Sequence, residues 1–240
     1  MIILTLNGCK DDPVTSYPGS LALHVHTLID QVEVESYGDT LARTDGRQVT
    51  VTQAQLYISN IKLIKKDGGV VDAPSTVILI KQGIEDYEVG DVPSGNYKSI
   101  RFDIGLSDAL NASTPVSTDL SLFQPSMWFG ATAQPDGFVF VNFQGTVDTT
   151  TLGTGTDLIP FAYKIGTNDH RVTVTMPDQD YSVVQDLQTV VHINANYAKL
   201  LDVVPLNNIS NLSITTAEEN TWSWINQMVS KIPDMFTYEE

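Results

Sequence analysis

The sequence predicts an all-β protein, a two-sheet antiparallel β-sandwich of Greek-key type with short accessory helices and a C-terminal helix, and three observations carry that reading. From Leu21 onward, β-branched and aromatic residues alternate with polar ones, the period of a strand with one buried face. Clusters of Gly, Pro, Asn and Asp interrupt the alternation repeatedly, so the strands are many and short, as in a sandwich. The apolar share of the 240 residues, 42%, is that of an ordinary globular chain and excludes general disorder.

Strands are expected at Leu21–Leu28, Gln48–Ser59, Ile61–Lys66, Thr76–Lys81, Tyr97–Ile104, Phe138–Gly145, His170–Met176 and Thr189–Ala195. Asp67-Gly68-Gly69 and Pro93-Ser94-Gly95-Asn96 read as turns whose Gly supplies a positive φ. Thr146–Thr156, rich in Thr and Gly, reads as a polar loop or an edge hairpin. A turn is expected at Ser107–Leu110, a short helix at Tyr197–Leu201, and a helix over Ala217–Lys231 that Pro233 stops. In that last helix Trp222, Ile225 and Val229 fall at i, i+3 and i+7, the spacing of a buried stripe. No repeat and no composition shift divides the chain, so residues 21–240 read as one domain and residues 1–20 as a leader remnant and flexible tether.

Charge narrows the partners. With 13 Lys+Arg against 29 Asp+Glu the net charge is −16. Affinity for a polyphosphate depends on cationic side chains displacing counterions, so nucleic acid is not an expected partner, while a cationic ligand or metal ion is. The chain has one Cys, so it has no internal disulfide and no multi-Cys metal site. That Cys ends a short apolar run, Leu6-Asn7-Gly8-Cys9, and the polar segment after it begins Lys10-Asp11-Asp12. The pattern resembles a bacterial lipobox, in which Cys9 is lipidated, although the positive start and full apolar length of a signal peptide are missing. The resemblance implies a protein of the bacterial cell envelope, tied to the outer membrane through lipid alone and periplasmic or surface-exposed.

Leu56-Tyr57-Ile58-Ser59-Asn60-Ile61-Lys62-Leu63 is followed by Val92-Pro93-Ser94-Gly95-Asn96-Tyr97 and Ile100-Arg101-Phe102-Asp103-Ile104-Gly105-Leu106. Further on come Asn111, Met127-Trp128, the segment Gly137–Gly145, Phe161–Gly166 and Ile232-Pro233-Asp234-Met235-Phe236. In this order and spacing the chain resembles the MbnP family of periplasmic or lipid-anchored β-sandwich proteins associated with methanobactin and copper handling. The resemblance implies copper bound by His side chains, sometimes with a Trp oxidised to kynurenine by a partner di-haem peroxidase. It also marks a departure: the family pattern around Phe161–Gly166 carries a His where this chain has Lys164, and a protonated ammonium has no lone pair for a metal.

His24 and His26 lie at i and i+2 on the first strand, so both side chains point to one face and could approach one ion, or else occupy a half-solvated face. His26 matches a first-strand His implied by the resemblance. His192 could complete a site if its strand neighbours the first, and otherwise reads as a hydrogen-bonded structural His. His170 reads as a turn residue outside the site. Met127 could be a soft ligand for Cu(I), and Trp128 an oxidisable or ligand-contacting aromatic; a Met-Trp pair is otherwise core. Asp103, Asp108 and Asn111 offer oxygens of the kind that hold calcium, or serve to cap the loop.

No motif of a hydrolase, metalloprotease, P-loop or dinucleotide enzyme is present, so no catalytic residue is nominated and the protein is not expected to be an enzyme. The expected function is a binding protein that holds or delivers copper through His24, His26, His192 and Met127. The alternative is a metal-free adhesion or accessory module contacting a protein or glycan. Exposed aromatics at Trp128 and Phe129, with His24 and His26 remote from other ligands, would favour the alternative.

Overall fold

Alternating strands build two facing sheets in the computed structural model, which describes residues 17–74, 76–155 and 158–239. The expected lipidation site Cys9 and most of the tether lie outside the described residues. In chain order the strands are β1 (Pro18–Ile29), β2 (Val32–Glu33), β3 (Thr40–Ala42), β4 (Gln48–Lys65), β5 (Val70–Asp72), β6 (Ile78–Ile80), β7 (Asp86–Pro93), β8 (Gly95–Ile104), β9 (Val139–Asp148), β10 (Leu158–Gly166), β11 (Val172–Thr175), β12 (Tyr181–Val183), β13 (Gln188–Asn196), β14 (Ser213–Ile214) and β15 (Phe236–Tyr238). The smaller sheet runs β15-β13-β1-β2, with β7 also on β1. The larger runs β11-β8-β4-β9-β10-β14, with β12 on β8 and with β3, β5 and β6 on β4. Pairing is antiparallel except at two places, β1 with β13 and β10 with β14.

The inward faces meet in one large core. Leu21, Leu23 and Val25 of β1 and Val191, Ile193 and Ala195 of β13 face Leu56, Ile58, Phe102, Val141 and Phe143 of the larger sheet. Strand alternation then fixes what points outward. On β1 those residues include His24 and His26. On the larger sheet they include Tyr57, Phe138 and Phe140, which form a second apolar cluster with Met127 and Trp128 beneath the connection between β8 and β9.

Several elements differ from expectation. The two strands expected at Gln48–Ser59 and Ile61–Lys66 are one, because Asn60 takes a left-handed φ of 51° and the pairing with β8 slips between Ser59 and Lys62, absorbing the break without ending the strand. The helix expected over Ala217–Lys231 is confined to Ile225–Lys231. Asn220 diverts the preceding segment: its amide donates to Thr216 O and Lys164 O, and its carbonyl accepts from Gly166 N. Trp222 is accordingly 42% exposed rather than part of the stripe, which Ile225 and Met228 supply. The expected turn at Ser107–Leu110 becomes a short helix, Asp108–Asn111, with Ser107 accepting from Leu110 N. The expected short helix at Tyr197–Leu201 spans Ala198–Leu201.

Gly105 follows β8 with φ 115°, and a Cβ there would stand 2.5 Å from the Phe140 ring. Gly105→Ala therefore combines backbone strain with overpacking of the second cluster and should cost about 2–4 kcal/mol. Denaturant unfolding with an unchanged slope measures it, and a loss under about 1 kcal/mol would contradict this packing.

Candidate metal centre

The outward face of β1 meets two flanking strands in register. On one side β13 runs parallel, with His24 opposite His192 and His26 opposite Asn194. On the other β7 runs antiparallel and sets Asp86 opposite His24. Side chains at paired positions share a face, so the three imidazoles come together although His192 is far away in sequence. Ring centroids are 4.6 Å apart for His24 and His26, and 4.8 Å for His24 and His192. Candidate ligand atoms of the three residues all lie within 4.8 Å of one another.

Each ring has a carboxylate on Nδ1. His24 Nδ1 donates to Asp86 Oδ1 at 2.7 Å, His26 Nδ1 to Glu33 Oε1 at 2.6 Å, and His192 Nδ1 approaches Glu239 Oε2 at 2.8 Å. An ionised carboxylate only accepts, so Nδ1 of His24 and of His26 carries the proton, which leaves Nε2 of those two rings as the atom with a lone pair to give a metal. This is the outer-shell arrangement that orients metal-binding imidazoles and raises their basicity. Two further carboxylate oxygens face Nε2: Glu85 Oε2 is 3.7 Å from His24 Nε2, and Glu239 Oε1 is 3.6 Å from His26 Nε2.

The backbone places these acids. Asp30 turns at φ 55° between β1 and β2, and Asn196 pins that turn through Asp30 N and O, folding Glu33 back beside His26. Val25 N donates to Glu85 O, and Glu239 N donates to His192 O just past β15. His24 and His26 are partly buried and His192 is exposed; an open hollow of about 310 Å³ lined by His192, Glu239, Tyr181 and Asp180 gives solvent a way in.

Burial pulls the His26 pKa down, but the Glu33 hydrogen bond and charge, helped by Glu239 and Glu85, outweigh it and leave the pKa above the ordinary 6.5. A raised folded pKa means that the protonated ring stabilises the fold below the unfolded value, and that this contribution is lost as pH rises through the folded pKa.

The other expected site residues lie elsewhere. Met127 is fully buried in the second cluster, on the outer face of the larger sheet, and the whole sandwich separates it from the three His. Trp128 is buried beside it, with Nε1 donating to Leu122 O at 3.1 Å, and Phe129 is half-buried, so the exposed aromatic pair that would favour an adhesion surface is absent there. Lys164 is on that same outer face and donates to Trp128 O; burial lowers its pKa. His170 ends a short 3-10 turn with Nδ1 on Gly166 O. Asp103 accepts from Asn60 and Thr173, Asp108 pairs with Arg171, and Asn111 bonds Asn168 and Phe138 N, so these oxygens serve the loop rather than converge on one point.

Fold and cluster together define a β-sandwich with a histidine–carboxylate centre on the outer face of its smaller sheet. The chain belongs to the MbnP family, whose model matches residues 18–224. Among solved structures it is similar to MbnP from Methylosinus trichosporium, with a TM-score of 0.57 and 16% identity over 79% of this chain and 78% of that one. No curated protein matches the chain.

In the metal-free protein, an NMR titration should place the His26 midpoint above 6.5, and Glu33→Gln should lower it. The stability lost in Glu33→Gln should be larger near pH 5.5 than near about pH 8, since the raised pKa contributes only on the acid side. A His26 midpoint at or below the ordinary value with Glu33 intact would contradict the geometry.

Proposed function

We propose that the protein is a non-catalytic, lipid-anchored MbnP-type protein of the bacterial outer membrane, periplasmic or surface-exposed, that holds and delivers a transition-metal ion, copper in first place, at His24, His26 and His192. The observation that carries this reading is the gathering of three imidazoles whose Nδ1 atoms each face a carboxylate. Such rings offer three neutral nitrogen donors, a set that suits copper, zinc or nickel. An ion with bonds of about 2.0–2.1 Å to imidazole holds its nitrogens about 3.3 Å apart in a tetrahedral site, and rotation of these partly exposed rings covers the difference from the present spacing.

Sequestration or delivery fits better than turnover. His192 is 49% exposed, so one side of the centre opens to an exchanging partner. The ligands are unmodified imidazoles, so the reading requires no peroxidase partner. Family membership supports the class of protein; the ion rests on the residues of this chain.

The test is a metal titration of the full chain carrying Cys9→Ser, which removes the thiol. One ion per chain is expected. A combined His24→Ala, His26→Ala and His192→Ala variant should lose more than the roughly 10–100-fold that an outer-shell partner contributes. Met127→Leu should leave the affinity unchanged. Equal weak binding by the parent and the triple variant would overturn the reading.

A further inference from the structure

Two spacings in the centre are wrong for hydrogen bonds and right for something else. Glu85 Oε2 stands 3.7 Å from His24 Nε2, and Glu239 Oε1 stands 3.6 Å from His26 Nε2. Both exceed the range in which nitrogen and oxygen share a proton well. An ion bonded at about 2.0–2.2 Å to a nitrogen and an oxygen spans such a gap at a ligand angle of roughly 120°. The other Glu239 oxygen contacts His192 Nδ1 at 2.8 Å, and Glu239 exchanges that contact for the ion, because an ion on His192 Nε2 lies on the far side of the ring from Nδ1.

The charge around the rings points the same way. Asp86, Glu33, Glu85 and Glu239 all pair with these imidazoles, and among the described residues none of the four forms an ion pair with Lys or Arg. Lys81 lines the hollow beside Glu33 and Glu85 without pairing. Four carboxylates around neutral rings stabilise a second positive charge on the ion as well as the first. Among the described residues the centre has no sulfur donor of the kind soft monovalent copper prefers: Met127 is across the sandwich, and Met176, Met228 and Met235 are in the core.

From these spacings and charges we infer that Glu85 and Glu239 are oxygen ligands of the same ion as His24, His26 and His192, and that the mixed nitrogen–oxygen set selects a divalent borderline cation, Cu(II), Zn(II) or Ni(II), over Cu(I). The inference rests on the proposed function for the three imidazoles and adds two ligands and a charge selectivity to it. The carboxylates come from the β6–β7 connection and the segment after β15, so the centre draws on four separate parts of the chain.

The experiment uses the full chain with Cys9→Ser and three probes, Cu(II), Zn(II), and Cu(I) under anaerobic conditions, each in competition with a chelator. Glu85→Gln and Glu239→Gln are compared with the parent, and circular dichroism checks their folding. Glu85 lies on an exposed connection, so that variant keeps the test available should Glu239→Gln disturb β15. Each variant should lose at least about 10-fold in Cu(II) and Zn(II) affinity, with Cu(I) affinity unchanged. The reduction potential of the bound copper should lie below that of the aqueous couple in the parent and rise in Glu85→Gln. Parental Cu(II) affinity in the folded variants, or Cu(I) held more tightly than Cu(II) at the three His, would overturn the inference and leave the imidazole site standing. Loss of all specific binding in the parent itself would instead remove the proposed function.

Discussion

In-register parallel pairing of β1 with β13 is the constraint on which both the core and the centre depend. It sets Leu23 beside Val191 and Val25 beside Ile193 on the inner face, and with the same stroke His24 beside His192 on the outer one. A slip of one residue on either strand would send imidazoles into the apolar interior, where no carboxylate could meet them. Core packing thereby enforces the site: the register that buries the aliphatic residues is the register that gathers the rings. The flanking strands then add their acids, Asp86 from β7 and Glu33 from β2, just beyond the tight turn that follows β1.

The two outer faces of the sandwich have different chemistry. The larger sheet is covered by the connection between β8 and β9, which packs Met127, Trp128 and Leu122 over Tyr57, Phe138 and Phe140. Lys164 anchors there on a main-chain carbonyl, with its charge partly desolvated. The smaller sheet leaves its outer face open and fills it with imidazole and carboxylate. Family membership accounts for the shared sandwich, and what its outer faces can bind is argued from the donors that this chain places on them.

Much of the fold was legible because alternation is a strong signal: β1, β8, β9 and β13 lie where the pattern set them, with ends shifted by a few residues. β7 escaped notice although Tyr87 and Val89 alternate with acids, since Gly90 and the bulge it accompanies blur the period. Pro160 obscured β10; it is tolerated where only β9 pairs with that strand. Within the site, the His-x-His spacing announced a shared face, and His192 was a candidate. Its adjacency was not readable, because parallel partners leave no local turn to mark them. The carboxylates were invisible for a different reason. Among 29 Asp and Glu, nothing in sequence singles out Glu33, Glu85, Asp86 and Glu239. Met127 follows the core reading of the Met-Trp pair, because the alternation of β9 commits its packing neighbours to the opposite face.

The most direct test of this account is anomalous diffraction from crystals of the full chain grown with Cu(II) or Zn(II). One strong peak per molecule, within bonding distance of imidazole nitrogens from His24, His26 and His192 on the outer face of the smaller sheet, is the expected result. A peak beside Met127, Trp128 and Lys164, with none at the three His, would contradict it.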